Sequence, residues 1–350
     1  MVRCGAMSAR EAPGQLLFAG FESTEVPPQL RSWIRSGRVG GAVLFRRNLE
    51  SAEQARRLVA ELHGLAPPEA PLVVAVDEEG GRVQRLREWL TRWPPMRRVA
   101  AHGDPALTAE LGRALGRELA DLGIDLDFAP VVDVDTNPAN PVIGDRSFAR
   151  DPDTVARHAC AFLTALQAEG VGACAKHFPG HGDASVDSHL ALPVLPHDLP
   201  RLRAVELPPF RAAIAAGVAS VMTAHVLLPA LDPREPATLS AAALGLLRGE
   251  LGYAGLVFSD DLDMQAVAAR HAPGELARLA LAAGVDVLLA CRDVARQEGA
   301  LAALEALPPA TLAGPLARLV AFKARFAGGR RAGARAPDFV AHAALATRLA

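Results

Sequence analysis

Carboxylate, imidazole and basic side chains are concentrated directly after short hydrophobic runs of this 350-residue chain. Seven groups carry them: Asp77 to Arg85, Asp133 with Asp135, Gly144 to Phe148, Lys176 to Asp183, Asp187 with His189, His225, and Asp260 with Asp261. Carboxylates and imidazoles brought to one place can act as nucleophiles and as general acids and bases. The sequence therefore predicts an enzyme, provided that the fold brings these segments together.

One interpretation of these residues is cleavage of a glycosidic bond. A retaining mechanism needs a carboxylate nucleophile on one side of the anomeric carbon and a group that exchanges a proton on the other. Asp260 or Asp261 can supply the carboxylate, and His189 can protonate the leaving oxygen, because imidazoles titrate near pH ~6.5. Asp187 precedes His189 by two residues and can hold its ring in one tautomer.

The adjacent acids Asp260 and Asp261 leave more than one mechanism open. Neighbouring residues of a strand point to opposite faces, which favours one catalytic and one structural acid unless the strand end bends. Two acids on one sugar would instead run a substrate-assisted cleavage, in which one orients an acetamido group and the other protonates the leaving oxygen. Asp260 also has the position of a carboxylate that caps the following helix.

Five further polar residues are candidates for binding sugar hydroxyls or an acyl group: Asp77, Arg85, Arg146, Lys176 and His177. The chain has only two lysines, Lys176 and Lys323, among its 37 basic residues. Lysine beside His177 indicates a site that needs a compact ammonium group as hydrogen-bond donor rather than the planar guanidinium group of arginine.

Two other functions could use the same segments. A zinc or iron hydrolase would draw its ligands from His177, His181, Asp183, Asp187, His189 and His225. Pro179, Gly180 and Gly182 exclude a helical pair of histidines with both rings on one face. A non-enzymatic barrel would bind phosphate with its Gly180-His181-Gly182 loop, although the chain lacks the glycine-rich phosphate and dinucleotide motifs.

Eight hydrophobic runs separated by helical segments must position these groups. The runs are Gln15–Gly20, Gly40–Phe45, Leu72–Val76, Asp127–Val132, Val171–Lys176, Ala219–Ala224, Gly255–Ser259 and Val285–Ala290. Several are almost continuously apolar, as in parallel strands covered on both faces. The segments that begin at Asp104-Pro105 and Asp151-Pro152 have the caps and apolar stripes of helices.

Strand and helix alternate eight times, which predicts an α/β protein with a single (β/α)8 TIM-like barrel. The alternative is a doubly wound open sheet with a small second domain. The barrel is expected over residues 14–327, after an N-terminal extension of residues 1–13 and before a surface tail or short terminal helix of residues 328–350. Active sites of such barrels lie at the carboxyl ends of the strands, where the polar groups fall.

The composition excludes several classes of protein. Half of the residues are hydrophobic, and 37 basic against 39 acidic side chains leave a net charge of −2, which argues against a disordered chain or a nucleic-acid binder. Cys4, Cys160, Cys174 and Cys291 are too dispersed for a zinc ribbon or a dense disulfide framework. We find no signal peptide or membrane span, and we expect a soluble, cytoplasmic monomer.

Six segments resemble those of family 3 glycoside hydrolases, in particular the single-domain bacterial β-N-acetylhexosaminidases of cell-wall recycling. The segments are Val76–Arg85, Gly123–Pro130, Gly144–Phe148, Lys176–Asp183, Asp187–His189 and Phe258–Leu262. They occur in the family's order between about Gly14 and Phe326. The Asp-Ser-His element is similar to the one that marks the hexosaminidase branch, whereas related β-glucosidases carry a glutamate acid/base in a later region.

The resemblance implies a role for each matching residue. Asp260 is the nucleophile, His189 is the acid/base with Asp187 as its partner, and the five candidates for sugar binding contact the substrate. The expected enzyme is a retaining exo-β-N-acetylglucosaminidase that releases terminal N-acetylglucosamine from muropeptides through a covalent glycosyl-aspartate, with no cofactor. A β-glucosidase or a glycoside phosphorylase of the same family stays open. The remaining polar groups at the strand ends support loop geometry in this interpretation: Asp133, His181, Asp183 and His225.

Overall fold

A computed structural model describes residues 12–329 and 335–350 and places eight parallel strands in a closed barrel. The strands are β1 (Leu17–Ala19), β2 (Gly41–Leu44), β3 (Val73–Val76), β4 (Leu126–Asp127), β5 (Gly172–Phe178), β6 (Ser220–Thr223), β7 (Leu256–Asp261) and β8 (Val287–Ala290). Barrel strands pair with their neighbours along the chain, and β8 closes the barrel on β1. The prediction of a single barrel is confirmed, and the open-sheet alternative is wrong.

Helices surround the barrel and connect its strands. They are α1 (Pro28–Arg35), α2 (Ala52–Leu65), α3 (Met96–Ala101), α4 (Pro105–Leu122), α5 (Pro152–Ala168), α6 (Leu199–Arg201), α7 (Leu207–Ala215), α8 (Ala241–Gly245), α9 (Gln265–Ala268), α10 (Pro273–Ala283), α11 (Val294–Glu305), α12 (Pro309–Phe326) and α13 (Phe339–Leu349). Asp104 and Asp151 cap α4 and α5, since their carboxylates accept the backbone N–H groups of Ala106 and Thr154. Both predicted helix starts are confirmed.

Aromatic rings fill the interior of the barrel. Phe258 makes edge-to-face contacts with Phe18 and Phe128, with ring centroids 5.2 and 5.5 Å apart. Gly41 on β2 makes room for this packing, because a Cβ atom there would lie 2.4 Å from the ring of Phe18. The rings form a dry layer beneath the polar residues at the strand ends.

The fourth strand is shorter than the sequence predicts. The run Asp127–Val132 was expected to be extended throughout, whereas β4 contains only Leu126 and Asp127. Pro130 has no N–H group to donate to a neighbouring strand, which interrupts the ladder. The chain resumes pairing with a single bridge between Val131 and Lys176.

The end of the chain includes a docked helix. His342 Nδ1 on α13 lies 2.7 Å from Glu118 Oε1 on α4, and Leu349 is fully buried. Most of the predicted N-terminal extension, together with Cys4, lies outside the described residues, as does the Arg330-Arg331 pair of the predicted tail. Cys160, Cys174 and Cys291 are free thiols.

Within the described ranges, no single helix has both the length and the apolar composition of a membrane span. The pair α11 and α12, bent by 115° at the break between them, meets those two criteria only when taken together.

Candidate active site

The carboxyl ends of the strands surround a cavity of about 180 Å³. Seven of the eight residues that the sequence proposed for the site line this cavity: Asp77, Arg85, Arg146, Lys176, His177, His189 and Asp260. The eighth, Asp187, is not part of the wall, but its Oδ1 lies 2.9 Å from His189 Nδ1. The cavity is smaller than the ~300–1,000 Å³ typical of pockets for drug-sized ligands. Its size favours a single sugar ring.

A small hairpin after β3 positions Arg85. Its strands are Glu78–Gly80 and Val83–Gln84, and the turn between them needs a left-handed backbone at Gly80 and Gly81, with φ of 94° and 59°. The buried carboxylate of Glu78 accepts hydrogen bonds from the backbone N–H groups of Arg85 and Leu86 at 2.8 and 3.1 Å. Burial raises the pKa of Glu78 to about 7.

A network of alternating charges forms one side of the cavity. Lys176 Nζ lies 2.7 Å from both Asp77 Oδ1 and Glu79 Oε1. The Arg146 guanidinium donates in fork geometry to the two oxygens of Glu79 at 2.8 and 2.7 Å, and Arg85 reaches Asp77 Oδ2 at 3.3 Å. Three cations and two carboxylates are therefore fixed in place before any ligand binds.

The charges of this network keep its members ionised. Burial alone would raise the pKa of Asp77, but Lys176 and Arg85 outweigh it and hold the pKa below its usual value. Burial would likewise lower the pKa of Lys176, but Asp77 and Glu79 raise it above that of an ordinary lysine. The cavity wall thus offers fixed anionic and cationic hydrogen-bonding groups at neutral pH.

Glu79 is the residue of this network that the sequence reasoning missed. It lines the cavity and contacts both Lys176 and Arg146. A signal for it exists, because residues two apart in extended backbone share a face. Asp77 and Glu79 accordingly face the cavity together, whereas Glu78 between them is committed to the hairpin.

His177 is held by a buried carboxylate. Asp133 Oδ2 accepts the Nδ1–H of His177 at 2.7 Å, and Asp133 Oδ1 accepts the backbone N–H of His181 at 2.7 Å. Burial would raise the pKa of Asp133, but the two histidines hold it below its usual value. Since Nδ1 is engaged, Nε2 is the nitrogen of His177 that can serve a ligand.

Asp260 and Asp261 both border the cavity. Strict alternation along β7 would send them to opposite faces, but the pairing with β8 shifts register between Val287 and Leu289. The end of the strand is therefore irregular where the two acids lie. Both residues border the cavity, and the expectation of one catalytic and one structural acid stays a prediction.

The two acids nevertheless have different environments. Burial would raise the pKa of Asp260, but His225, His177 and the backbone N–H of Asp261 hold it below its usual value. Asp261 Oδ1 accepts the backbone N–H groups of Asp263 and Cys291 at 3.0 and 3.1 Å, and burial raises its pKa to about 7. Asp260 is the better nucleophile, because it is ionised at neutral pH and accepts one backbone N–H group, that of Asp261 at 2.8 Å, whereas Asp261 accepts two.

His189 lies at the mouth of the cavity on an exposed loop. Its side chain is 64% exposed, and Asp187 Oδ1 accepts both its Nδ1–H and its backbone N–H, at 2.9 and 2.8 Å. These contacts fix the ring and leave Nε2 free to exchange a proton with a ligand. Imidazole and carboxylate are thus paired in the way that the sequence predicts.

Ser188, which lies between Asp187 and His189, anchors this loop. Ser188 is buried, its Oγ lies 3.0 Å from His181 Nε2, and its carbonyl oxygen accepts the backbone N–H of Ala266 at 3.3 Å. His225 is similarly committed, with Nε2 donating to the carbonyl oxygen of Asp261 at 3.0 Å. Both histidines therefore support loop geometry, as expected.

Asp183 also contacts the loops around the cavity, because its Oδ1 accepts the hydroxyl of Thr136 at 2.9 Å and His197 Nε2 lies 2.9 Å from its Oδ2.

No group of three or more His, Cys, Asp or Glu side chains within the described residues is arranged to hold a metal ion.

This arrangement is suited to substitution at a sugar carbon. The ionised carboxylate of Asp260 borders the cavity, and the imidazole of His189, with one free nitrogen, lies at its mouth. The charged network around Lys176 lines another part of the wall with fixed hydrogen-bond donors and acceptors. These are the parts that a double displacement needs: a nucleophile, a proton carrier and groups that orient hydroxyls.

Comparison with known proteins places the chain among carbohydrate-active enzymes. Residues 9–317 match the model of the Glycosyl hydrolase family 3 N terminal domain. The chain is 41% identical to a β-hexosaminidase of Chromobacterium violaceum over 351 residues, covering 98% of this chain and 96% of that protein. It is 43% identical to a β-hexosaminidase of Alkalilimnicola ehrlichii over 282 residues, covering 79% and 80%.

Solved structures give the same result. A family 3 β-N-acetylglucosaminidase from Paenibacillus sp. FPU-7 superposes with a TM-score of 0.92 at 41% identity, covering 98% of this chain and 68% of that one. NagZ from Neisseria gonorrhoeae, in complex with N-trifluoroacetyl-D-glucosamine, superposes with a TM-score of 0.83 at 35% identity, covering 97% and 98%.

Proposed function

The chain belongs to glycoside hydrolase family 3 and is a β-hexosaminidase, and from this premise we propose that it is a retaining, exo-acting β-N-acetylglucosaminidase. The observation that carries the proposal is that Asp260 and the Asp187-held imidazole of His189 line one cavity. A nucleophile and a proton carrier on one sugar-sized space are what double displacement requires.

In the first step, an Asp260 oxygen attacks the anomeric carbon while the bond to the leaving oxygen breaks. His189 gives its Nε2 proton to that oxygen, and Asp187 stabilises the ring while it carries positive charge. The step leaves a glycosyl ester on Asp260. In the second step, water attacks the anomeric carbon and His189 takes the proton from the water. The ester bond to Asp260 breaks, the carboxylate leaves with the electron pair, and the β configuration is restored.

The network around Lys176 holds the non-reducing sugar. Asp77 and Glu79 accept sugar hydroxyl protons, whereas Lys176, Arg146 and Arg85 donate to hydroxyl or acyl oxygens. Fixed donors and acceptors of this kind orient the ring without reorganising during the reaction. The small size of the cavity around them supports an exo enzyme that accepts one terminal residue.

As the substrate, we propose terminal N-acetylglucosamine on muropeptide fragments of peptidoglycan. The N-acyl glucosamine bound by the gonococcal NagZ supports the sugar, and it is consistent with a cavity that offers both charged donors and apolar walls at Met222 and Met264. We further propose that the enzyme acts in the cytoplasm as a monomer.

The test compares aryl β-glycosides of N-acetylglucosamine and glucose, with and without phosphate, and follows the first-formed anomer by NMR. The proposal expects faster hydrolysis of the N-acetylglucosaminide, a β anomer as first product and the same sugar product when phosphate is present. Formation of a sugar 1-phosphate would identify a phosphorylase. Faster hydrolysis of the glucoside would identify a β-glucosidase. An α anomer as the first product would reject double displacement. Release of N-acetylglucosamine from purified muropeptides then tests the substrate.

A further inference from the structure

Lys323 is a buried amine at the end of the barrel opposite to the active site. It lies on α12, its residue is 6% exposed, and its Nζ donates a hydrogen bond to Gln15 Oε1 at 2.6 Å. Gln15 is itself fixed, because its Nε2 donates to the carbonyl oxygens of Gly37 and Val39 just before β2. The amine is therefore held in one position.

The two lysines of this chain have opposite environments. Lys176 is flanked by two carboxylates at 2.7 Å. Over residues 12–329 and 335–350, by contrast, no carboxylate oxygen lies within 4.0 Å of Lys323 Nζ, and its hydrogen-bond partner is the neutral amide of Gln15. A buried ammonium group without a counter-ion is costly, so such an amine tends to lose its proton.

The pKa of Lys323 agrees with this geometry. Burial lowers the pKa of Lys323 to about 7, and the charge of Asp125 opposes the shift only in part. The carboxylate of Asp125 also accepts the backbone N–H groups of Val74 and Gly329, at 2.8 and 3.0 Å. A substantial fraction of Lys323 is then an uncharged amine near neutral pH, and the uncharged amine is the nucleophilic form.

A separate cavity of about 240 Å³ leads to this amine. Its wall is mainly apolar, with Pro68, Pro71, Leu319 and Val320, and Glu69 is the acidic residue that borders it. An apolar wall with a carboxylate admits small uncharged molecules more readily than anions.

We propose that Lys323 is a modification site, at which the side-chain amine is acylated by a small uncharged acyl donor that enters through this cavity. The Nζ lone pair attacks the carbonyl carbon and forms an N–C bond. The bond from that carbon to the leaving oxygen or sulfur breaks, the leaving group keeps the electron pair, and Nζ releases a proton to solvent. The amide product stays uncharged and keeps an N–H group for Gln15 Oε1, so the site keeps its hydrogen bond and gains no buried charge.

The test is a competition experiment with N-acetoxysuccinimide on the intact folded protein. A free model amine, Nα-acetyl-lysine methylamide, competes in the same tube, so that hydrolysis of the reagent affects both amines equally. Mass spectrometry of peptides reports acetylation at Lys323 and Lys176 separately, since these are the two lysines of the chain.

We expect acetylation of Lys323 and none of Lys176. The ratio of Lys323 labelling to model-amine labelling should fall about tenfold per pH unit between pH 8 and pH 10. The fall is expected because the model amine, with a pKa near ~10.4, continues to gain its reactive form after Lys323 has fully deprotonated. The variant Lys323→Gln, which places no charge in the buried site, should lose the label and keep glycosidase activity. A ratio that is constant from pH 7 to pH 10, or absence of label at Lys323, would overturn the proposal.

Discussion

His181 Nε2 lies 3.0 Å from Ser188 Oγ, and this contact ties the first part of the loop after β5 to its later part, which carries Asp187 and His189. Both partners are buried, and the backbone N–H of His181 is fixed by Asp133. Burial lowers the pKa of His181 to about 4, so it is a neutral partner at the pH of most enzyme assays. Ser188 therefore anchors the exposed imidazole next to it independently of pH.

Ser188→Ala removes the hydroxyl of this anchor. A neutral hydrogen bond contributes ~0.5–1.5 kcal/mol, so we expect kcat to fall by ~3–10-fold. KM should change little, because the sugar contacts come from the other loops. The effect should be larger on substrates with poor leaving groups, which depend most on His189. The exposed Ser36 gives the control variant Ser36→Ala. A change in KM alone would show that Ser188 acts elsewhere.

The fold could be predicted because parallel barrel strands are buried on both faces. Each strand therefore appears in the sequence as a continuous run of apolar residues. The fourth run could not be bounded in this way, since Phe128 and Val132 are as apolar as strand residues while Pro130 interrupts the ladder between them. Composition identifies buried residues there, but the hydrogen bonds decide where the strand ends.

The site could be predicted as a set of strand-end residues, but not in its internal arrangement. Glu79 and Glu78 have the same residue type, and although alternation from Asp77 favours Glu79, the contacts of the hairpin show that Glu79 borders the cavity while Glu78 binds backbone. Asp260 and Asp261 likewise have the same residue type, and the different hydrogen bonds that their carboxylates accept are visible only in the structure. The domain boundaries and the cytoplasmic location stay predictions.

His189→Ala removes the proton carrier. We expect hydrolysis to fall by ~10²–10⁴-fold on alkyl and saccharide leaving groups, which need protonation. The loss should be much smaller on activated aryl glycosides, whose leaving oxygens depart without a proton. The measurement is kcat/KM over a series of leaving groups, with the exposed His102→Ala as control. Equal losses across the series would contradict the acid/base role.

Arg146→Lys keeps the charge beside Glu79 but removes the two-bond fork. The loss of a charge-assisted hydrogen bond costs ~1.5–3 kcal/mol, so we expect kcat/KM to fall by roughly 10–100-fold. Arg203 makes a comparable fork to Glu250 on the surface, which makes Arg203→Lys a matched control with unchanged kinetics. Equal activity of Arg146→Lys and the native enzyme would remove Arg146 from the site.

Asp261 should make the stability of the protein depend on pH. Its pKa is raised from 3.8 to about 7 by burial, so the folded chain binds more protons than the unfolded chain between those values. Stability is therefore lost as the pH rises through this window. Asp261→Asn removes the titration and can still accept the N–H groups of Asp263 and Cys291.

Thermal unfolding of both proteins at pH 4 and pH 8 checks this sign. The Tm of the variant relative to the native chain should rise by ~1–2 °C between pH 4 and pH 8, as expected for about 1 kcal/mol in a chain of this size. A difference in Tm that is the same at both pH values would show that folding does not raise the pKa of Asp261.

The central claim is that Asp260 forms a covalent bond with the sugar, and trapping that bond tests it most directly. A fluorinated N-acetylglucosaminyl fluoride, which forms the glycosyl ester faster than water removes it, should add one sugar mass to the protein. Fragmentation of the labelled peptide should place that mass on Asp260, and Asp260→Asn should neither label nor turn over. A label on Asp261, or steady turnover of the reagent by Asp260→Asn, would contradict the account.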